Sequence, residues 1–420
     1  MNKTSCVIYA PVQTFSGYGA RSRDIAKAII EEKSEEWDIK IIPCRWGNTP
    51  MNFIEENPKW EFLEKHFITN LESQPDVMIW VTIPSEAKKI GKFNILFTAG
   101  IETTLAPSTW VEGCNEVDLV IGSSNHSINV LKSTKYQKTG KITNQPLGVI
   151  EWVGKGEVLF EGVNTEIYNN NKLKTNNLDL SQIKENFCFL TVGHWLNGDV
   201  GEDRKNIGLT VKAFYETFKN KNNPPALILK TSSSSSSYMD RDLILNKILE
   251  IKKTVNTKKI PNVYLLHGDL TDEEMNELYN HPKVKAMVSL TKGEGFGRPL
   301  LEFSLSQKPI IATYWSGHID FLKPDSSILL PGTLTKIHNS ATNNFLTPES
   351  KWLSVDLGEV GNSLKNVFED YKKYKVLGKK QSYHSLNNFS YTKMKEKLVE
   401  ILDNNIPTTP KEIKLNLPNL

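Results

Sequence analysis

Residues 293–302 read Gly293-Glu294-Gly295-Phe296-Gly297-Arg298-Pro299-Leu300-Leu301-Glu302, and their order decides the fold. Ahead of them runs Val284-Lys285-Ala286-Met287-Val288-Ser289-Leu290, apolar enough for a strand covered on both faces. Behind them Pro299 suits the first turn of a helix, where a missing N–H costs nothing. The stretch therefore predicts strand, glycine-rich turn and helix start. Such a turn exposes backbone N–H groups beside the positive end of a helix, which suits a phosphate or a set of sugar hydroxyls. Glu294 lies in the turn and Glu302 about one turn into the helix. Carboxylates accept hydrogen bonds in pairs, as vicinal diols offer them, so the outline is that of a nucleotide-sugar site. A plain strand-to-helix turn would also use glycines, and the spacing of the two glutamates is what separates the readings.

Outward from this stretch, apolar runs and helical periodicity alternate, the pattern of parallel α/β architecture. In the first half, strands are expected at 5–10, 38–43, 76–82, 93–98 and 117–122, with a helix from Ala20 to Glu32. In the second half, strands are expected at 187–192, 226–229, 263–266, 284–290 and 309–313. Helices are expected from Thr210 to Phe218 and from Asp272 to Tyr279. The polar stretch between Glu166 and Gln182 reads as a hinge, and Ser232 to Ser237 as a loop without chemistry. Residues 406–420 read as an extended tail.

At 420 residues the chain is long enough for two cores. Its 39% hydrophobic and 24% charged content describes a water-soluble globular protein. A net charge of +3 excludes a dedicated nucleic-acid binder and leaves contact with an anionic membrane surface open. Cys6, Cys44, Cys114 and Cys188 show no metal or disulfide spacing, which suits a reduced, cytoplasmic protein. The first residues read as a strand, with an apolar run too short for a signal peptide, and no stretch is long enough to span a bilayer.

A second glycine turn, Gly17-Tyr18-Gly19-Ala20-Arg21-Ser22, follows the first strand. Ser22 replaces the third glycine of a dinucleotide fingerprint and the loop is long, so a nicotinamide cofactor is disfavoured. No Asp-x-Asp pair offers itself as a metal ligand. Neither a cofactor nor a metal is expected.

The string from Gly293 to Glu302 is followed by Lys308-Pro309-Ile310-Ile311-Ala312-Thr313, Ser316-Gly317 and Asp320-Phe321-Leu322. Together they resemble the donor site of the retaining GT-B glycosyltransferases of family four. The resemblance spans roughly residues 5 to 330 and is weakest from 44 to 75. It implies an α/β GT-B fold, two Rossmann-like domains facing across a cleft. Residues 1–168 would form the acceptor-side domain and 169–385 the nucleotide-sugar domain. Residues 386–420 would form a helix and tail, with the helix packing back on the first domain. The junction would lie at Glu161-Gly162-Val163-Asn164, where Asn164 replaces the family's common aspartate.

The same resemblance implies roles. Arg204-Lys205 resembles the family's basic element and would stabilise the leaving diphosphate. Many members have Gly-Arg where this chain has Gly193-His194, so His194 or Arg204 would replace that arginine. Lys230 is a further candidate cation, and Gly17 and Gly19 belong to the loop that reaches over the donor phosphates. Glu294 with the N–H groups of Gly295, Phe296 and Gly297 would hold the sugar, and Glu302 the ribose. Glu102 stands where many relatives carry a histidine, and would contact the donor sugar or the acceptor hydroxyl. His126 reads as a helix-start residue. The expected reaction moves a hexose from a UDP-glucose or GDP-mannose type donor to a hydroxyl, with retention and without metal. The acceptor stays open among a glycan, a lipid-linked sugar, a protein, a metabolite and a modified DNA base. Two rivals also stay open: an inactive nucleotide-sugar-binding scaffold and a nucleotide-sugar epimerase.

Overall fold

The computed structural model describes residues 3–139, 145–171, 178–233 and 237–407. Its first half is built on β1 (Thr4–Ala10), β2 (Trp37–Pro43), β3 (Val77–Val81), β4 (Phe93–Thr98), β5 (Leu119–Gly122) and β8 (Lys155–Val158). These form one parallel sheet in the order β2-β1-β3-β4-β5-β8. A separate hairpin pairs β6 (Lys135–Thr139) with β7 (Pro146–Glu151). The helices of this half are α1 (Gly17–Lys33), α2 (Phe53–Glu56), α3 (Ser108–Asn115) and α4 (Asn125–Ser133).

The second half repeats the plan. Strands β9 (Cys188–Val192), β10 (Ala226–Lys230), β11 (Val263–Leu266), β12 (Val284–Ser289), β13 (Ile310–Thr313) and β14 (Ile328–Leu330) form a parallel sheet in the order β11-β10-β9-β12-β13-β14. Helices α5 (Ile207–Phe218), α6 (Tyr238–Lys253), α7 (Asp272–Asn280) and α8 (Arg298–Ser304) connect them. A hairpin of β15 (Gly332–Lys336) and β16 (Lys351–Val355) precedes α9 (Leu357–Glu369), α10 (Tyr371–Asn388) and α11 (Tyr391–Asn405).

The strands form where unbroken apolar runs are covered on both faces by helices. Val77, Met78, Ile79, Trp80 and Val81 are all buried. Helix α1 begins three residues earlier than its apolar face predicts, because the Ser16 hydroxyl accepts the Gly19 N–H at 2.9 Å and caps it. Helix α11 returns to the first half: Met394, Leu398, Ile401 and Leu402 share one buried cluster with Ile25 and Ile29 of α1. The outgoing and returning chain segments run side by side at Val163 and Ser390. Strand β8 was not foreseen, because Lys-Gly-Glu-Val lacks the apolar content that marks its neighbours.

Residues 172–177 of the expected hinge, 234–236 of the serine loop and 408–420 of the tail lie outside the described residues. Among the described residues no helix is long and apolar enough to cross a membrane.

Candidate active site

In each sheet the chain reverses its direction of strand addition once, between β1 and β3 and between β9 and β12. Crevices beyond the carboxyl ends of strands at such points are where open α/β sheets bind ligands. The loops leaving β1, β4, β9 and β12 meet there and enclose a cavity of about 260 Å³. Gly17, Glu102, Arg204, Glu294, Gly295, Phe296 and Gly297 line it. These are seven of the residues singled out in the sequence, drawn from both halves.

The glycines allow close approach. A Cβ on Gly293 would lie 2.0 Å from the Glu102 carbonyl oxygen, and one on Gly295 2.7 Å from that of Ala99. The turn after β12 is therefore pressed against the loop after β4, and Ser123 Oγ adds a bond to the Gly295 carbonyl at 3.1 Å. Gly297 has φ +98° and ends the turn where α8 begins. The Phe296 side chain turns away into the core against Phe321, leaving its backbone to line the cavity. Glu294 donates its own N–H to Ser316 Oγ at 2.8 Å. Among the described residues, the N–H groups of Gly295, Phe296 and Gly297 have no hydrogen-bond partner.

Glu294 is 7% exposed, and cations surround it. Lys205 Nζ stands 2.6 and 2.7 Å from its two carboxylate oxygens, and Arg204 3.6 Å from one of them. Burial opposes ionisation, but Lys205 and Arg204 outweigh it and hold the carboxyl down at about 2. Arg204 also reaches Glu102 across the cleft at 3.2 Å and donates to the Gly293 carbonyl at 2.9 Å. Burial works against the charge on Arg204, and Glu102 and Glu294 more than restore it.

Glu302 sits deeper. Arg298 Nε donates to it at 3.0 Å and Tyr279 Oη at 3.4 Å. Arg298 reaches over to Asp24 of α1 at 2.8 Å and stands 3.8 Å from Glu161. One guanidinium thus serves three carboxylates, of which Asp24 and Glu302 are buried. Burial pushes Glu302 up to about 7 even with Arg298 beside it, and Glu161 is raised for the same reason.

Other expected residues stand apart. Gly19 does not reach the cavity: a Cβ there would strike the Thr14 carbonyl at 2.2 Å, so this glycine serves the packing of α1 on its own loop. His194 meets Ser232 Oγ at 3.2 Å, and Lys230 Nζ donates to the Gly268 carbonyl at 2.5 Å; both lie outside the lining of the cavity. His126 occupies the first turn of α4, as its sequence context implies, and packs edge-on against Trp315. Sequence reasoning gave no role to Tyr18, Arg21, Trp46, Glu161 or Arg298, which all line the cavity. Arg298 was inside the quoted stretch and could have been found there. Trp46 follows β2 in a segment without periodicity, and no local signal marks it.

No protein-family model matches the chain, and no curated protein matches its sequence. Solved structures do. A glycosyltransferase from Rickettsia africae is 15% identical, over 97% of this chain and 100% of that one, with a TM-score of 0.63. Sucrose-phosphate synthase from Thermosynechococcus elongatus is 12% identical, over 96% and 99%, with a TM-score of 0.60. The Anabaena protein HepE, solved with UDP and glucose, is 12% identical, over 96% and 100%, with a TM-score of 0.59. The likeness is one of fold: the chain has the GT-B architecture, two Rossmann-like sheets facing across the cleft that holds Glu294.

Proposed function

We propose that the chain is a retaining hexosyltransferase, moving a hexose from a nucleotide-diphosphate sugar to a hydroxyl acceptor without a metal. The observation that carries this reading is a single cavity in which three unpartnered N–H groups, Gly295 to Gly297, adjoin Arg204 and an ionised glutamate, Glu294, that Lys205 grips from outside the cavity lining. Donors of the UDP-glucose or GDP-mannose type fit that set. Their sugar hydroxyls donate to the carboxylate of Glu294 and accept from the three N–H groups, and their diphosphate takes Lys205 and Arg204. The Anabaena neighbour solved with UDP and glucose supports a uridine diphosphate sugar as the first donor to try.

In the reaction, the bond between the anomeric carbon and the phosphate oxygen breaks, and its electrons leave with the diphosphate. The acceptor oxygen bonds the same face of the sugar, and its proton passes to the departing phosphate oxygen. Lys205 and Arg204 stabilise the charge that develops there, which fixed, partly desolvated cations do at little reorganisation cost. Glu294 and Glu102 hold these cations in position for the diphosphate. Glu302, oriented by Arg298 and Tyr279, accepts the ribose hydroxyls. A cytoplasmic location suits the four free cysteines.

A thermal-shift screen of nucleotides tests this reading, because a ligand that binds the folded state raises the melting temperature by mass action. UDP-glucose or GDP-mannose should raise it, and NAD should not. Failure of every nucleotide-sugar both to bind and to release nucleoside diphosphate would overturn the proposal.

A further inference from the structure

We propose that the acceptor is itself a sugar, a pyranose ring seated on Trp46; this rests on the transferase reading above. The two walls of the cavity differ in chemistry. The second half supplies Glu294 and the unpartnered N–H groups. The first half supplies an apolar and aromatic wall of Tyr18, Trp46, Val81 and Phe97. Trp46 and Tyr18 stack with ring centroids 3.9 Å apart and planes 24° from parallel.

The protein fixes the Tyr18 ring, and the Trp46 ring stacks on it. The Tyr18 hydroxyl meets Thr98 Oγ1 at 3.1 Å and accepts the Ala99 N–H at 3.0 Å. Trp46 opens a turn in which the Thr49 N–H donates to the Trp46 carbonyl at 3.1 Å, with Gly47 at φ +53°. A platform fixed in advance loses little freedom when a ligand lands on it. The face of an indole is electron-rich, and the polarised C–H bonds on one side of a pyranose are its natural complement.

The edge chemistry narrows the ligand further. Glu102 and Glu161 line the same cavity, and carboxylates accept from ring hydroxyls. A serine or threonine of a peptide would present no ring face to Trp46. The aromatic wall faces the donor loop, which places the acceptor ring opposite the sugar being transferred.

The test offers methyl α- and β-glucoside, methyl α-mannoside and methyl β-galactoside to the full chain. UDP-glucose or GDP-mannose is the donor, whichever the thermal screen selects. Glycerol, a serine peptide and a hydroxymethylcytosine oligonucleotide serve as rival acceptors. At least one glycoside should accelerate nucleoside diphosphate release. Trp46→Ala should raise its KM about tenfold, the equivalent of about 1.4 kcal/mol, and by more than it raises the donor KM. Trp46→Phe, which keeps an aromatic face, should recover most of the loss. Saturation-transfer NMR of the same glycosides on wild type and Trp46→Ala reads binding without turnover. Transfer to the peptide, glycerol or oligonucleotide alone would overturn the inference, as would a glycoside KM or NMR signal indifferent to Trp46→Ala. Loss of all nucleotide-sugar cleavage in the wild type would instead overturn the function on which the inference rests.

Discussion

Lys205 donates to both carboxylate oxygens of Glu294, at 2.6 and 2.7 Å, although the two stand 89 positions apart in the chain. The pair joins the loop after β9 to the loop after β12, the two strands that flank the reversal point of the second sheet. Its partners are the residues proposed to hold the leaving diphosphate and the transferred sugar. The ion pair is therefore a structural tie and a reservoir of the charges that the reaction uses.

Replacing Lys205 by alanine should cost about a hundredfold in kcat, equivalent to about 2.7 kcal/mol of transition-state stabilisation. Circular dichroism and melting curves must show that the variant still folds, because Glu294 is left buried without its closest cation. Near-normal turnover by the folded Lys205→Ala protein would remove this lysine from the mechanism.

Gly293 tests the closeness of the two halves. A methyl group at this position would meet the Glu102 carbonyl at 2.0 Å and the Trp315 ring at 2.9 Å. Gly293→Ala should push the loops apart, raise the radius of gyration seen by solution scattering and lower kcat at least about tenfold through misplacement of Glu294. Unchanged scattering and activity would mean that the loops in solution do not meet as described.

The two glutamates should fail differently. Glu294→Gln should mainly lower kcat, because this carboxylate orients the reacting ring. Glu302→Gln should weaken bare nucleoside diphosphate by about 1–3 kcal/mol, the worth of a charged hydrogen bond. Calorimetry with the diphosphate alone separates them, since that ligand has no sugar for Glu294 to touch. Loss of diphosphate affinity in Glu294→Gln with retention in Glu302→Gln would reverse the assignments.

Stability should respond to pH with opposite signs at these residues. Glu302 is raised from its ordinary 4.5 to about 7, so the unfolded chain releases its proton first. The stability it contributes below 4.5 is lost as pH climbs toward 7. Glu294 is lowered from 4.5 to about 2, so its contribution is present above 4.5 and disappears as pH falls toward 2. In denaturant titrations at pH 5 and 7.5, Glu302→Gln should show a smaller drop than wild type. An identical drop in the two proteins would contradict the placement of Glu302 beneath Arg298.

Much of this architecture could be read along the chain, for a physical reason. Strands buried on both faces must be continuous apolar runs, so 284–290 and 226–229 announce themselves, and the helix start at Pro299 follows from local chemistry, whereas α5 begins at Ile207, three residues before the expected Thr210, with no side-chain cap to mark it. The candidate site was legible where its chemistry is contiguous, as in Gly293 to Glu302. It was not legible where side chains meet across the cleft. Arg21 and Asp24 look like the solvent face of α1, yet both are buried against residues more than a hundred positions away. Gly19 belongs to a glycine turn that suggests phosphate binding, and only its contact with the Thr14 carbonyl reveals a packing role. Trp46 lies in the least patterned part of the chain, and its use depends wholly on the ring of Tyr18.

The most direct test follows the anomeric centre by proton NMR while the protein, in excess EDTA, hydrolyses UDP-glucose or GDP-mannose. Retaining transfer carried by Lys205, Arg204 and Glu294 predicts nucleoside diphosphate release in EDTA and the α-anomer as the first-formed sugar, before mutarotation. A β-anomer formed first would contradict retention. Release abolished by EDTA and restored by magnesium or manganese would contradict a diphosphate stabilised by the protein's own cations.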